Sequence, residues 1–541
     1  MKYFIINNAS RAASYGIGTY VRQLTVALRG LPSLQICFID LYGEGEEFAI
    51  AKDEDGIVHY KVPKASTRME DERYCRMAYC LLSPYLPEDE PAIFHFNYFQ
   101  HYPFAALIKA RNIRHRVFLS VHYLNWCFEL DGNVSKFKSI VNAKAVEDKY
   151  RPIIQNFAQN KHFLHLADEV IVLSRFCKDL LQSSYGISPD KLRLIPNGLQ
   201  ETATETPMAE DKSPLVLFVG RLDKIKGVDH LIEAFHLVLK RHENARLVIV
   251  GDGDYDEYLK HCKGIIGKVI FTGKIAQEEL LGFYRQATVG VLPSFHEQCS
   301  YTAIEFMMHG IPFVGTDSTG LSEMLDCVPD LRVHIQETDF SAERFTEDLA
   351  NAICSLLEDE AAREKASQLM HAQFRERYTL KAMEQHLTAL IESSEAQSGT
   401  RPLSQDFFQE LDDYMISLIH DKADIDTDFY GMAGIGVYLW WRLGLSDLAQ
   451  DEAKSFKIKE YLIYYLDWFH EAALAERKEA CEPELAVTLN GMRQIGFYKT
   501  KVGALMALLH CKNETADLKE RSPLAILENA MRMFTTKIEP S

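Results

Sequence analysis

Two carboxylates stand eight positions apart in the segment Pro293–Glu305, across a predicted turn from a strand into a helix. Glu297 is expected in the loop at the end of the strand, and Glu305 about one turn inside the helix. The first N–H groups of this helix, over 300–302, lie at the positive end of the helix dipole and can hold an anion. Carboxylates accept hydrogen bonds from hydroxyl groups, so the segment could bind a sugar phosphate. Two solvated surface acids are the alternative.

The segment Gly220–Gly227 places three cations between two glycines, where an apolar strand ends and a helix begins. Arg221 offers a planar fork of donors, and Lys226 offers a compact positive charge. Such a pair suits a diphosphate group, because the fork matches two phosphate oxygens and the ammonium adds charge. A solvated loop is the alternative.

A third candidate is the glycine-containing turn over 14–20, between the first predicted strand and a helix. Gly16 and Gly18 would let backbone N–H groups approach an anion or a sugar at the positive end of that helix. The turn lacks the third glycine of a dinucleotide-binding fingerprint, and a plain tight turn explains it equally well.

Strands that alternate with helices must position these loops. From residue 3 to about 335 the apolar runs are short and continuous, as in parallel strands that are covered on both faces. The runs predicted as strands are Tyr3–Asn7, Gln35–Asp40, Ile93–Phe96, Val117–His122, Glu169–Ser174, Leu192–Pro196, Leu215–Gly220, Arg246–Gly251, Val269–Gly273, Val289–Pro293 and Pro312–Thr316. This order predicts an α/β fold with two doubly wound halves, which face each other across a crevice at the carboxyl ends of their strands.

Changes of composition divide the chain into four predicted regions. The first α/β half covers 1–198, and the second covers 199–375 after a linker rich in Thr, Glu and Pro. A helix over 376–395 crosses back to the first half. A flexible joint then leads to an α-helical appendage over 404–541, for which a packing or dimerisation module is the simplest interpretation.

Composition limits the compartment and the classes of partner. The chain has 541 residues and a formal net charge of −18, so attraction to nucleic acid is disfavoured. Its 11 cysteines include no CxxC pair, which favours reduced thiols in a cytoplasm. No signal-peptide core follows Lys2, and the longest apolar run, Gly431–Trp441, is about half of a bilayer span. We expect a soluble cytoplasmic protein, at most peripheral to the inner face of the membrane.

Other charged clusters receive structural interpretations. Asp252–Glu257 and Asp424–Asp428 lack the glycine at position six of an EF-hand loop and are expected to be turns. The pair His510–Cys511 and the nearby Cys481 lack the spacing of a zinc site. No metal site is predicted. The basic run Lys109–Arg116 is expected to be a solvated loop, able to support weak contact with lipid at best.

The candidate segments together resemble the retaining glycosyltransferases of the GT-B fold, family four. The resemblance covers about residues 1–395 and is strongest over 215–325, which resembles the donor domain of that family. It implies two Rossmann-like domains that close over a nucleotide sugar. The landmarks are the GRLxxxKG run at Gly220–Gly227, the turn at 250–253, Phe271–Gly273, the Glu-x7-Glu motif at 297–305, His309–Pro312 followed by Glu323, and the domain-closing segments Ala167–Ser174 and Ile195–Gly198.

The resemblance implies a role for each matching residue. Arg221 and Lys226 would neutralise the donor diphosphate, Glu305 would bind the ribose hydroxyls, and Glu297 would contact the donor sugar. His122 would face the reacting carbon from the first half, and the backbone near Lys274 would contact the nucleobase. The residues implied to surround the donor are Gly16, Gly18, Lys274, Gln298, Cys299, Ser300, Tyr301, Thr302 and Glu305.

The loop after Glu297 departs from the commonest family pattern. Gln298, Cys299 and Ser300 stand where many relatives have Gly-Phe-Gly, which leaves the identity of the donor sugar open. The resemblance implies a nucleotide diphosphate sugar as co-substrate, with UDP-sugar as the first expectation. No metal or other cofactor is implied, because cations and helix dipoles would stabilise the leaving diphosphate.

The implied reaction is transfer of a sugar to an acceptor hydroxyl with retention of the anomeric configuration. The acceptor would be a glycan, a lipid-linked sugar or a peptide or protein. Two alternatives remain: an epimerase, hydrolase or phosphorylase on the same fold, and an inactive nucleotide-sugar-binding protein that acts through its helical appendage. The appendage could also form a homodimer.

Overall fold

The computed structural model describes residues 1–397 apart from 9–15, 44, 46, 65–70, 88–89, 113, 144–145, 203–212, 337 and 339. The appendage predicted for 404–541, with the candidate segments Asp424–Asp428 and Gly431–Trp441 and the pair His510–Cys511, lies outside the described residues. The chain divides into two compact units, Met1–Arg68 with Pro87–Gly399 and Met69–Leu86 with Thr400–Ser541. All features discussed below, apart from the helix Asp71–Leu82, belong to the first unit.

The first sheet has eight strands, most of them buried on both faces. They are β1 (Lys2–Asn8), β2 (Gln35–Gly43), β3 (Ala49–Lys52), β4 (Val58–Pro63), β5 (Ala92–Phe96), β6 (Arg116–Val121), β7 (Glu169–Val172) and β8 (Leu192–Leu194). Their order in the sheet is β3-β4-β2-β1-β5-β6-β7-β8, and only the β3–β4 pair is antiparallel. Every residue of β5, β6 and β7 is buried, so helices cover both faces of the sheet.

The helices in this part of the sequence are α1 (Gly16–Arg29), α2 (Asp71–Leu82), α3 (Tyr102–Arg111), α4 (Trp126–Glu129), α5 (Val134–Val141), α6 (Arg151–Leu166) and α7 (Arg175–Tyr185). α1 shows why the sequence folds in this way. Its apolar side chains recur every three or four positions, so that Ile17, Leu24 and Leu28 lie on one buried face. The opposite face carries the polar residues.

The second sheet has six parallel strands, β9 (Leu215–Val219), β10 (Arg246–Val250), β11 (Val269–Gly273), β12 (Val289–Leu292), β13 (Phe313–Thr316) and β14 (Arg332–Val333). Their order is β11-β10-β9-β12-β13-β14, which is the Rossmann order. The order reverses between β9 and β12. Ligands in such sheets bind where the order reverses, at the carboxyl ends of the strands.

Helices cover this sheet and then lead the chain back to the first one. They are α8 (Val228–Arg241), α9 (Tyr255–Leu259), α10 (Gln277–Gln286), α11 (Tyr301–Met308), α12 (Thr319–Met324), α13 (Ala342–Glu358), α14 (Glu360–Gln373) and α15 (Leu380–Gln397). A short π-helical turn, Phe374–Tyr378, separates α14 from α15. α15 packs against α1. The carbonyl of Leu199 accepts the N–H of Leu380 at 2.9 Å, and the N–H of Leu199 donates to the carbonyl of Tyr378 at 2.9 Å. Hydrogen bonds therefore join the two segments in which the chain passes from one half to the other.

The predicted fold class, two Rossmann-like doubly wound halves, is confirmed, and all 11 predicted strands are present. The boundaries predicted for the separate regions stay predictions. The sequence pattern missed β3, β4 and the two-residue β14. β3 is largely exposed, β4 is only partly buried, and neither carries a continuous apolar run. None of the described helices combines the length and the apolar character needed to cross a bilayer.

Close packing at the carboxyl ends of β9 and β10 requires glycine at position 251. Gly251 has a φ of +150°, and a Cβ there would lie 1.7 Å from the carbonyl oxygen of Gly220. We expect Gly251→Ala to destabilise the protein by about 2–6 kcal/mol, since backbone strain and overpacking each contribute roughly 1–3 kcal/mol.

Gly264→Ala is the matched control, because Gly264 also has a positive φ (+87°) but an added Cβ would meet no described atom within 4 Å. It should cost about 1–2 kcal/mol, the strain alone. Differential scanning calorimetry of both variants measures the difference. Equal decreases in the unfolding temperature of the two variants would contradict this account of the packing.

Candidate functional site

The predicted cation Lys226 and the predicted acid Glu297 are in direct contact where the strand order of the second sheet reverses. Lys226 ends the loop after β9, and Glu297 lies in the loop after β12. Lys226 Nζ is 2.5 Å from Glu297 Oε1, and both side chains are mostly buried. Ser294 Oγ donates to the same oxygen at 3.1 Å. Residues 71 positions apart therefore form one charged pair at the carboxyl edge of the sheet, where the strand order reverses.

Glycine allows the two loops to approach this closely. Gly227 has a φ of +64°, and a Cβ there would lie 2.3 Å from the carbonyl oxygen of Pro293. The N–H of Phe295 donates to the carbonyl of Ile225 at 2.8 Å. The backbones of the two loops are thus hydrogen-bonded to each other, and the Lys226 side chain contacts Glu297 directly.

The start of α12 holds the backbone of Glu297, a contact that sequence reasoning missed. Thr319 Oγ1 accepts the N–H of Glu297 at 2.9 Å and donates to its carbonyl at 2.6 Å. Gly320 donates its N–H to the same carbonyl at 2.8 Å. Thr319 has a φ of +38°, which is rare for a β-branched residue and is typical of functional sites. No sequence motif signals it, because the partner lies 22 positions away.

Glu305 projects from the second turn of α11 and accepts a hydrogen bond from Tyr284 Oη on α10 at 2.6 Å. Burial raises the pKa of the Glu305 carboxyl to about 7. Near neutral pH, this carboxyl is therefore divided between its protonated and ionised forms. Tyr284 was not predicted as a site residue. A tyrosine on an apolar helix face resembles any core residue in sequence.

The N-terminus of α11 is capped and fixed to β9. Ser300 Oγ accepts the N–H of Ala303 at 3.4 Å, and Thr302 Oγ1 donates to the carbonyl of Val219 at 3.2 Å. Tyr301 lies between them. Its hydroxyl is buried and has no hydrogen-bond partner among the described residues. The predicted anion-binding end of the helix thus lies beside the loop that carries Lys226.

The remaining predicted residues of the donor site lie on other segments of the two halves. Arg221 pairs with Asp223 at 3.1 Å and is about a quarter exposed. Lys274 is exposed directly after β11, two strands from β9. Gly16 and Gly18 lie in the first turn of α1, and a Cβ at Gly16 would meet no described atom within 4 Å. No described contact joins Gly16, Gly18 or Lys274 to the Lys226–Glu297 pair.

Gln298 and Cys299 are engaged at the contact between the two halves. Ser174 Oγ donates to Gln298 Oε1 at 3.0 Å, and Asn197 Nδ2 donates to the carbonyl of Cys299 at 2.7 Å. Both side chains are buried. Their predicted role of contacting a donor stays a prediction. What the structure describes for them is docking of the Glu297 loop on the first half.

His296 and an ion-pair cluster complete this contact. His296 packs edge-on against Trp126, with ring centroids 5.5 Å apart. Arg175, at the start of α7, pairs with Glu323 at 3.2 Å and also with Asp326. The N–H of residue 176 donates to Glu323 Oε1 at 2.8 Å. The loop that carries Glu297 is therefore held from the first half as well as from its own sheet.

His122 follows β6 in the first half, as predicted. Its Nε2 lies 3.0 Å from Asn97 Oδ1, and its ring packs edge-on against Tyr20 with centroids 4.5 Å apart. Burial lowers the pKa of His122 to about 3. The imidazole is therefore neutral at physiological pH and brings no positive charge to the crevice.

Two family models match this chain, one before residue 203 and one after residue 212. The model described as Glycosyltransferase Family 4 matches residues 15–202, and the model described as Glycosyl transferases group 1 matches residues 213–359. This chain belongs to glycosyltransferase family four. The family implied by the sequence motifs is confirmed.

Curated relatives match parts of the chain. An uncharacterised glycosyltransferase of Methanocaldococcus jannaschii is 33% identical over 173 residues, which are 29% of this chain and 44% of the relative. The alpha-monoglucosyldiacylglycerol synthase of Streptococcus pneumoniae is 30% identical over 180 residues, 30% of this chain and 40% of the relative. The chain thus spans about two fifths of the length of these curated relatives.

Solved structures share the fold of this family-four chain. The sucrose-phosphate synthase of Thermosynechococcus elongatus has a TM-score of 0.58 at 20% identity, covering 73% of this chain and 99% of that one. An Anabaena protein solved in complex with UDP and glucose has a TM-score of 0.54 at 14% identity, covering 73% of this chain and 100% of that one. At these identities the likeness is one of fold.

The basic run Lys109–Arg116 corrects a prediction. Lys109 and Arg116 are buried, not solvated. Lys109 Nζ is 2.7 Å from Asp168, and Arg116 is 2.9 Å from Glu169. Two charges that suggested weak lipid contact are therefore neutralised inside the first half, and we do not propose such contact from this run.

One group of possible metal ligands occurs among the described residues, His242, Cys354 and Glu358, whose ligand atoms lie within 4.8 Å of one another. Arg241 donates to both oxygens of Glu358, at 2.9 and 2.7 Å, so the carboxylate already has a cationic partner. The group lies at the carboxyl end of α8, away from the strand ends that carry Lys226.

In the predicted turn Asp252–Glu257, Asp254 caps α9 by accepting the N–H of Asp256 at 3.1 Å.

The raised pKa of Glu305 predicts a pH-dependent stability difference. Between the unfolded pKa of about 4.3 and the folded pKa of about 7, the native state binds more protons than the unfolded state, so stability falls as pH rises. Glu305→Gln removes this group. We expect the variant to gain stability relative to wild type between pH 4.5 and 8, by up to about 3 kcal/mol.

Thermal unfolding at a series of pH values measures this gain, with Glu278→Gln on the exposed first turn of α10 as the control for removing one surface carboxylate. A stability difference between Glu305→Gln and wild type that does not change with pH would show that the carboxyl titrates normally.

Proposed function

We propose that this chain is a glycosyltransferase that moves a sugar from a nucleotide diphosphate sugar to an acceptor hydroxyl. The observation that carries the proposal is the Lys226–Glu297 contact at the point where the strand order reverses. A cation for the diphosphate and an acid for sugar hydroxyls meet there, beside the N-terminus of α11. Membership of family four supports the same reaction class.

The donor would bind by exchange of partners around Lys226. In the free protein Lys226 Nζ lies on Glu297, and an incoming diphosphate offers it oxygens of higher charge. Arg221, which pairs with Asp223, adds a second cation to the same loop. The first N–H groups of α11 contribute partial positive charge. Glu297 would then accept hydrogen bonds from the donor sugar.

Glu305 would hold the nucleoside ribose. Its carboxyl is fixed by Tyr284 at one oxygen, which leaves the other oxygen to accept a ribose hydroxyl. Because its pKa is near 7, it can accept hydrogen bonds from both ribose hydroxyls best above that pH.

The leaving diphosphate is stabilised by the chain's own charges in this proposal. Arg221, Lys226 and the dipole of α11 act on the negative charge that develops as the bond breaks. The leaving phosphate oxygen accepts the proton of the acceptor hydroxyl on the same face of the sugar, which retains the anomeric configuration. We infer that this transfer needs no metal, since the two cations supply the positive charge.

The donor class and the compartment extend the proposal. UDP-sugar is the first candidate donor, and the Anabaena structure with UDP and glucose gives this choice a precedent in the fold. The acceptor would be a glycan, a lipid-linked sugar or a peptide. The nine cysteines among the described residues are all free thiols, which suits a cytoplasmic location.

Removing the charge of Lys226 should weaken donor binding specifically. We expect Lys226→Ala to bind the preferred nucleoside diphosphate roughly 10- to 100-fold less tightly. This loss corresponds to the free energy of about 1.5–3 kcal/mol that a hydrogen bond to a charged group contributes. Lys224→Ala is the matched control, because Lys224 belongs to the same turn but is exposed. Isothermal titration calorimetry with UDP, GDP and ADP, with and without EDTA, measures both.

Equal losses in the two lysine variants would assign the effect to general surface charge and reject the site. Binding that disappears with EDTA would reject metal independence but keep the site. If wild type binds none of the three nucleotides, the proposed function fails.

A further inference from the structure

Asn97 and His122 follow two neighbouring strands of the first sheet. Asn97 comes directly after β5, and His122 directly after β6, which pairs in parallel with β5. The strand order of this sheet reverses between β1 and β5. Asn97 is buried, with 2% of its surface exposed, whereas His122 is half-buried. The pair therefore lies at the ligand-binding edge of the first half.

The carbonyl of Ile6 determines which way the Asn97 amide points. Asn97 Nδ2 donates to this carbonyl at 3.4 Å, which leaves Oδ1 against His122. The opposite orientation would bring the amide oxygen against a carbonyl oxygen, and two acceptors repel. The backbone of β1 thus selects the amide orientation, although its distance from the amide is long for a hydrogen bond.

An amide oxygen can only accept, so His122 Nε2 must carry the proton of the 3.0 Å contact with Asn97 Oδ1. A neutral imidazole has one N–H, and its other nitrogen keeps a lone pair. That nitrogen is Nδ1. It hydrogen-bonds to no group in the described part of the chain, and the side chain that carries it is partly open.

A buried chain of hydrogen bonds fixes the ring on which His122 rests. Tyr20 packs edge-on against His122, and its hydroxyl is 2.7 Å from Ser120 Oγ. Ser120 is 2.7 Å from His95 Nε2, and His95 Nδ1 is 2.7 Å from Tyr3 Oη. These hydrogen bonds hold the hydroxyl end of the Tyr20 side chain in place. The imidazole plane is therefore constrained on one side by Tyr20 and at Nε2 by Asn97.

We propose that Asn97 is a positioning residue, which accepts the Nε2–H of His122 and thereby keeps a lone pair on Nδ1 for a hydroxyl of the donor sugar. The sugar hydroxyl as the ligand rests on the proposed function. The tautomer of His122 rests only on its contact with Asn97. It gives His122 the role of a hydrogen-bond acceptor. To donate a hydrogen bond to the ligand, His122 would have to carry its proton on Nδ1. To act as a cation, it would have to carry a proton on both ring nitrogens.

Nitrogen-15 NMR of the histidine-labelled full chain tests the tautomer directly, with the His122 signals assigned by their loss in His122→Phe. We expect wild type to show a protonated Nε2 and an unprotonated Nδ1. Asn97→Leu removes the acceptor at similar volume and should give a mixture of tautomers or the reverse one.

A wild-type ring protonated on Nδ1 overturns the proposal, and so does an unchanged tautomer in Asn97→Leu. The wild-type measurement decides the matter even if Asn97→Leu fails to fold.

A double-mutant cycle separates positioning from general support of the fold. With the preferred nucleotide sugar, Asn97→Leu should lower kcat/KM by roughly 10- to 100-fold, the range for removing a partner that orients an imidazole in metal sites. In the His122→Phe background it should have little further effect. Equal losses in both backgrounds would make Asn97 a structural residue and overturn the proposal. If wild type turns over no nucleotide sugar, the proposed function fails while the tautomer measurement still decides the role of Asn97.

Discussion

The Lys226–Glu297 ion pair depends on the close approach of two loops that follow neighbouring strands of the second sheet. The pair forms because β9 and β12 are neighbours in space although a long stretch of sequence separates them. Their loops leave the same edge of the sheet, and Gly227 lets them touch. The distances that matter here are therefore set by backbone packing. The side chains of the pair then have little freedom left to lose when a ligand binds.

The same loop also connects the two halves of the fold. Glu297 is held from its own sheet by Thr319 and Gly320, and the next residues dock on Ser174 and Asn197 of the first half. The backbone position of the acid therefore depends on residues of both halves.

Much of the fold could be predicted from the sequence, because buried parallel strands leave continuous apolar runs that are visible in one chain. Lys226 and Glu297 could be found for a similar reason, since each lies in a loop that follows such a run, and Glu305 could be found from its spacing of eight positions from Glu297. Tyr284, Thr319 and Asn97 could not be found, because their importance comes from partners 21 to 25 positions away. The burial of Lys109 was hidden likewise, as its partner Asp168 lies 59 positions on.

The most direct test of the account is the affinity of Glu297→Gln for a nucleoside diphosphate and for the matching nucleotide sugar, each compared with wild type by calorimetry. If Lys226 leaves Glu297 to bind the diphosphate, removing the negative charge should strengthen binding of the diphosphate alone. Loss of the acid's contact with the sugar should weaken the additional affinity that the sugar provides. The account is contradicted if both ligands bind as in wild type, or if both lose affinity by the same factor.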